Sequence, residues 1–389
     1  VLLKSGRTAT GKKSAGSHTG SLAGMSEVAT RAYERAGIVV INNSDELFPV
    51  AGALSSLPPV KNNAIAILAD GGGHATIAAD LLTDYGIGLP ELSEKTKEKL
   101  RQILPEAASV VNPVDVAGGT DSDPSLFADC AKILLQDSSV GGVLVVGLFG
   151  GYGIRFEKSL AIGEEAAAHR FGAMVKKGKK PIFVHSLYGT HESHALDLLR
   201  HYGIPVHDSL DISCKCVASL CQYGRYLQFY HAKASFAFNW RAKAVPAGET
   251  IIKNALEEGR HVLLEHEAKE LIKLHGIPTR VGVVSRTAEE ACKMAAALEG
   301  PVVLKIVSPD ILHKSDAGGV ILNLKTQKEV RQAFGQIMEG AKAFYPEADI
   351  RGVLVAPMAQ KGLEIIVGTK VDDQFGPVIM YGLGGVLVE

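Results

Sequence analysis

Apolar and polar positions alternate in blocks through the first two thirds of the 389 residues. Short runs rich in Val, Ile and Leu predict strands at Val1 to Lys4, Ile38 to Asn42, Ala64 to Ala69, Gly142 to Val146 and Pro181 to His185. Between them, amphipathic spacing predicts helices at Met25 to Ala36, Asp45 to Leu54, Thr76 to Tyr85, Glu94 to Ile103, Ser125 to Leu135, Gly163 to Lys177 and Ser193 to Tyr202. Continuous apolar strands separated by helices predict an α/β chain with parallel sheets covered on both faces.

Two segments break this rhythm. Ser55 to Asn63 carries Pro58 and Pro59 and delivers the chain to a fresh strand. Trp240 to Thr250 contains Pro246, Ala247 and Gly248, and beyond it the texture becomes α+β. Helices are predicted there at Glu265 to His275, Ala288 to Leu298 and Lys328 to Phe344. Strands are predicted at Thr279 to Val284, Val302 to Ile306, Gly352 to Ala356, Leu363 to Gly368 and Val378 to Tyr381. No short repeat is visible.

The length suggests two or three domains. Lys+Arg of 41 against Asp+Glu of 42 gives a net charge of -1, so no global field favours nucleic acid or an anionic membrane. Any anionic ligand must be held by local loops. Five cysteines lack a zinc-ribbon spacing and read as reduced thiols of a cytoplasmic protein. No apolar run approaches the roughly 20 residues that span a bilayer. Val1 to Lys4 has no basic signal-peptide start, and both ends of the chain read as strand interiors, which suggests a piece of a larger protein.

The candidate chemistry begins with two histidines in loops of small and polar residues. His18 lies in Ser14-Ala15-Gly16-Ser17-His18-Thr19-Gly20-Ser21, where nothing nearby would bury the ring, and His313 lies in Ser308-Pro309-Asp310-Ile311-Leu312-His313-Lys314. A neutral imidazole accepts a phosphoryl group near neutral pH, so two such histidines suggest that phosphoryl is carried between sites. A plain surface histidine remains the alternative for His18, and Lys4, Arg7, Lys12 and Lys13 around it are either phosphate-attracting or simply solvated. Gly71, Gly72, Gly73 and His74 follow a strand and open a helix. That suits a phosphate, and equally a tight turn that needs glycine for positive φ. Asp115, beside Gly118 and Gly119, positions a reacting loop or makes an Asx turn. His185, His191 and His194 invite a zinc reading without a well-spaced third ligand, and no metal ligand is assigned. Lys305 at a strand end suits a phosphate clamp or caps a sheet edge, and Gly362-Leu363-Glu364 suits the lining of a nucleotide cleft.

Taken together, Ser17 to Gly24, Asn112-Pro113-Val114-Asp115, Ser308 to Lys314 and Gly382 to Gly385 resemble the NDP-forming acyl-CoA synthetases, relatives of succinyl-CoA synthetase that include ADP-forming acetate–CoA ligase. The resemblance runs along nearly the whole chain. It implies two flavodoxin-like succinyl-CoA-synthetase-type domains, the first truncated, and then a partial ATP-grasp domain. The expected divisions are 1–57, 58–232, a linker at 233–246, and 247–389. It further implies that His18 is the phosphohistidine, that His313 relays phosphate, and that Gly71 to Ala75 cradles the phosphorylated ring. Lys305 and Glu364 would stand on the nucleotide side. The implied small molecules are a carboxylic acid or acyl-CoA, coenzyme A, phosphate, ATP or ADP, and Mg²⁺, in a homodimer. The CoA-binding Rossmann domain, the glutamate that orients the phosphohistidine and the usual Mg²⁺ ligands are expected outside this sequence. A rival expectation is the ligand-sensing synthetase region of a lysine acetyltransferase, against which both His18 and His313 argue.

Overall fold

The computed structural model describes residues 1–8, 10–11, 13, 26–237, 245–360 and 362–384, without the side chains of 26 and 231–237. Two units separate along the chain, Val1–Trp240 with Val367–Tyr381, and Arg241–Ile366 with Gly382–Glu389.

The first unit is organised by five parallel strands, in the order Val114–Asp115, Ile65–Ala69, Gly142–Gly147, Ile182–Ser186, Val206–His207. Numbered by their own succession they run 2-1-3-4-5, the flavodoxin-like order. The central strands bury every residue, because side chains alternate between two covered faces. Ala66, Leu68, Val143 and Val145 pack under the Leu126–Gln136, Leu160–Lys177 and His194–His201 helices through Phe127, Phe171 and Leu196. Ile65, Ile67, Leu144 and Val146 face the Leu47–Ser56, Gly72–Asp84 and Leu210–Ala237 helices. Val39, Ile41, Val50 and Ala53 share that second core, so the segment before Pro58 is welded to this sheet. Leu2–Leu3 pairs in parallel with Val40–Ile41.

Asn112 acts as a piece of strand. Its Oδ1 accepts from the Ile67 N–H at 2.9 Å, and its Nδ2 donates to the carbonyls of Ile65 at 2.9 Å and Pro90 at 3.3 Å.

In the second unit four antiparallel strands lie in the order Val320–Leu324, Val302–Val307, Gly352–Pro357, Val283–Ser285. Val302, Leu304 and Ile306 face the Ala288–Ala296 and Gln327–Phe344 helices through Ala291, Val330 and Ile337. Val307 and Leu354 face the other way and meet Leu264, at the start of the Glu265–Leu274 helix. Strands Ile365–Asp372 and Gly376–Leu383 form a separate two-stranded sheet.

Several elements depart from expectation. The helix expected from Thr76 starts at Gly72, since helix-poor glycine costs little in a first turn that lacks intrahelical partners. The break expected around Pro246 holds a helix, Pro246–Glu257, with proline in its first turn, where a missing N–H is harmless. The preceding helix runs to Ala237, well into the expected linker. Of the strand expected at Thr279 to Val284 only Val283–Ser285 pairs. Val320–Leu324 was not anticipated, and neither were the two-residue edge strands Val114–Asp115 and Val206–His207.

Candidate functional site

At the carboxyl end of the parallel sheet, the chain leaves Ala69 through Asp70 and Gly71 into the Gly72–Asp84 helix. Strand order reverses here, between Ile65–Ala69 and Gly142–Gly147, where open α/β sheets take their ligands. Gly71 caps the helix in extended backbone, with φ -171 and ψ 126. None of Gly71, Gly72 and Gly73 has positive φ, so the turn that demands glycine for its backbone is not what these residues make. Their distinguishing property is the missing side chain. A Cβ on Gly71 or Gly73 would meet nothing within 4 Å. The helix thus ends in unshielded N–H groups with no acidic residue in the first turn.

Asp70 is turned into the fold. Its Oδ2 accepts from the Leu148 N–H at 2.9 Å and the Tyr152 hydroxyl at 3.0 Å. Burial raises the Asp70 pKa, and these two hydrogen bonds restrain the rise. Asp115 makes the Asx turn, accepting from the Ala117 N–H at 2.9 Å, while its other oxygen lies 3.5 Å from where a Gly72 Cβ would stand. The carboxylate therefore shares the positive end of the helix with whatever anion approaches it.

His74 faces His185, ring centroids 6.0 Å apart. His185 is buried, its Nδ1 has no partner, and the ring bonds the Asp208 backbone. Burial, helped by nearby His74, pushes its pKa down to about 4, so the ring is neutral at physiological pH. The three histidines of the zinc reading do not converge. His194 Nδ1 pairs with Glu165 at 3.0 Å, and His191 lies against the Tyr188 ring. Among the described residues no three His, Cys, Asp or Glu groups gather as a metal site requires, so no Mg²⁺ ligand is assigned. All five cysteines are free and buried.

The second unit holds a charged cluster. Glu265 begins its helix and receives three lysines: Lys305 Nζ at 2.8 Å and Lys269 Nζ at 2.9 Å on Oε1, and Lys314 Nζ at 2.6 Å on Oε2. Burial alone would raise the Glu265 pKa, but the hydrogen bonds from Lys305, Lys314 and Lys269 outweigh it and bring it to about 2. Beside the cluster lies a cavity of about 200 Å³, lined by Leu264, Glu265, Ser308, Pro309, Leu312 and Lys314 among others. Three ammonium groups against one carboxylate leave the cluster with an excess of positive charge, which Lys314 brings to the cavity wall and which suits an anion. His313 is exposed in the loop that carries Lys314, and that loop is closed by the Gly319 N–H donating to the Lys314 carbonyl at 2.7 Å.

Of the expected site residues, His18 lies outside the described residues. Gly71 to His74 meet at one helix start, and Lys305 and His313 belong to the strand and loop bordering the cavity. Glu364 does not join them; it is exposed before Ile365, and Lys305 pairs with Glu265 instead. Sequence reasoning passed over Glu265, Lys269 and Lys314. The Glu265–Lys269 spacing of a helical pair was visible, but the bonds spanning 40 and 49 residues had no local signal. Tyr152, 82 residues from Asp70, was equally hidden.

Comparison with known proteins covers most of the chain. Residues 1–54 match the succinyl-CoA ligase like flavodoxin domain, 65–228 the Ligase-CoA domain, and 254–389 the ATP-grasp domain. The chain is 33% identical over 391 residues to an ADP-forming 4-hydroxybutyrate–CoA ligase of Nitrosopumilus maritimus, covering 100% of this chain and 53% of that protein. It is 35% identical over 404 residues to an ADP-forming acetate–CoA ligase of Methanocaldococcus jannaschii, with 100% and 54% covered. It therefore spans about half the length of these curated relatives. A solved dinucleotide-forming acetyl-coenzyme A synthetase 1 of Ca. Korarchaeum cryptofilum, in complex with phosphate and ADP, shares the fold at TM-score 0.51 and 23% identity, over 61% of this chain and 49% of that one. Matched along its whole length to such ligases and region by region to their domains, the chain belongs to the family of NDP-forming acyl-CoA synthetases.

Proposed function

We propose that the protein carrying this chain interconverts acyl-CoA, phosphate and ADP with a carboxylic acid, CoA and ATP. The observation that carries the reading is the pairing, in one chain, of two anion-suited places. One is a side-chain-free helix start at the switch point of the parallel sheet, and the other is a cavity lined by Lys314, beside the lysine cluster of Glu265 and the loop of His313. Phosphate attacks the thioester carbonyl, the C–S bond breaks, and CoA leaves as the thiol. The acyl phosphate then gives its phosphoryl group to an imidazole nitrogen of His18, releasing the carboxylate. His313 receives the group in turn, and ADP accepts it to become ATP. Gly71 to His74 hold the phosphoryl oxygens at the helix start by N–H donation, and Lys305 and Lys314 neutralise the nucleotide phosphates. Mg²⁺ would screen charge on the nucleotide.

Acetate or another short acid is the proposed substrate, and the two relatives named above already differ in theirs. We place the protein in the cytoplasm as a homodimer, where its reduced thiols and nucleotide substrates belong. No described helix is long and apolar enough to cross a membrane. The regulatory alternative gains no support from these relatives. The test is to incubate the full-length protein with γ-labelled ATP and Mg²⁺. Acid-labile, base-stable label on the wild type and none on His18→Ala supports the reading; equal labelling of His18→Ala ends it.

A further inference from the structure

Glu265 is the centre of its cluster, and its partners come from two different places. Lys305 stands on the Val302–Val307 strand and Lys314 in the loop that follows, whereas Lys269 is one turn along from Glu265 on the same helix. The carboxylate presents one oxygen to Lys305 and the other to Lys314, as two oxygens of a phosphate would. It also lines the cavity that Lys314 borders. A purely structural carboxylate would need one cation to balance it; this one sits among three.

We propose that Glu265 is a resident stand-in for phosphate: it bridges Lys305 and Lys314 in the geometry seen here, yields both to the phosphates of a nucleoside diphosphate, and keeps Lys269 as its own partner when it does. This rests on the nucleotide reading of the cavity given above. The exchange is cheap in electrostatic terms, because Lys305 and Lys314 each face an anion before and after it. The strand lysine and the loop lysine stay converged without a ligand, which three like charges could not do alone. Rotation of the Glu265 side chain toward Lys269 leaves an intrahelical pair four residues apart, the favourable orientation with glutamate nearer the helix start. Glu265 is thereby a positioning residue whose negative charge also competes with the ligand it prepares for.

Calorimetric titration of ADP with Mg²⁺ into the wild type, Lys305→Met, Glu265→Gln and Glu265→Asp, each checked for an unchanged melting profile, separates the possibilities. Removing the competing charge in Glu265→Gln should tighten ADP binding about fivefold, the effect of deleting one repulsive contact in a water-like medium. Glu265→Asp keeps the charge but is too short to bridge both lysines, and should tighten binding to a smaller degree. Structural damage loosens binding, so a gain in affinity has no such explanation. Equal or weaker binding by folded Glu265→Gln overturns the stand-in while leaving the nucleotide reading intact, provided Lys305→Met has lost affinity. If Glu265→Gln does not fold, Glu265→Asp decides by the same sign. A Lys305→Met protein that binds ADP as the wild type does would remove the nucleotide reading itself, and the stand-in with it.

Discussion

The Tyr152 hydroxyl donates to the Asp70 carboxylate at 3.0 Å and shares a second hydrogen bond with Thr120 Oγ1 at 2.7 Å. One phenol thus ties the exit of the Ile65–Ala69 strand to the segment that follows the Gly142–Gly147 strand. Tyr152→Phe keeps the ring in its aromatic neighbourhood with Phe127 and Phe156 but strips Asp70 and Thr120 of a buried partner. A loss of about 1–3 kcal/mol is expected, read as a lower urea midpoint at constant slope. A midpoint that does not move would show that the phenol contributes nothing to this corner.

Two glycines a short distance apart in space should behave oppositely. Gly147 has φ +132, and a Cβ there would fall on the Asp70 carboxylate. Gly147→Ala is expected to cost about 3 kcal/mol or more, through strain and collision together. Gly73 has open space around it and helical backbone, so Gly73→Ala should hold or raise the melting temperature. In the full-length protein, the same Gly73→Ala should lower phosphohistidine labelling because the added methyl group stands where phosphate approaches. Unimpaired labelling would mean that phosphate does not come this close.

His185 gives the first unit an acid-sensitive stability. Its folded pKa of about 4 lies below the ordinary 6.5, so the unfolded chain binds the proton first as pH falls. The contribution is complete above pH 6.5 and drains away toward pH 4, on the order of 3 kcal/mol in all. His185→Asn should flatten the stability curve in that window. An identical slope in wild type and variant would place the acid sensitivity elsewhere.

Glu265 acts in a lower window. Its folded pKa of about 2 lies below the ordinary 4.5, so its contribution is present above pH 4.5 and is lost as pH falls toward 2. The lysine partners are partly open to solvent, which reduces the effect to on the order of 1–2 kcal/mol. Fluorescence-monitored unfolding between pH 5 and 3 should show a shallower fall for Glu265→Gln than for the wild type.

The parallel sheet was legible from sequence because its central strands are buried on both faces and read as unbroken apolar runs such as Ile65-Ala66-Ile67-Leu68-Ala69. Edge strands of two residues, Val114–Asp115 and Val206–His207, are too short to leave a periodic trace. Proline misled at position 246, since the same residue that ends a helix also begins one. The triple glycine was correctly placed between strand and helix, but its two readings could be separated only by backbone angles. The lysine cluster was half legible. Lys305 stood out as the cation of an apolar run, but it lies inside the Val302–Val307 strand with neighbours on both sides and not at the strand end expected; Glu265, which collects it together with Lys314 and Lys269, looked like any acidic residue of a first helical turn.

The side-chain amide of Asn112 completes a border that the main chain leaves ragged, offering one acceptor and one donor to Ile67 and Ile65 as a neighbouring polypeptide would. Ile65 and Ile67 are fully buried, so groups left open there would be cut off from water, and the amide keeps the interior border of the sheet satisfied. Leucine in its place should strand those groups and lower the urea midpoint, and an unmoved midpoint would show that the amide adds nothing here.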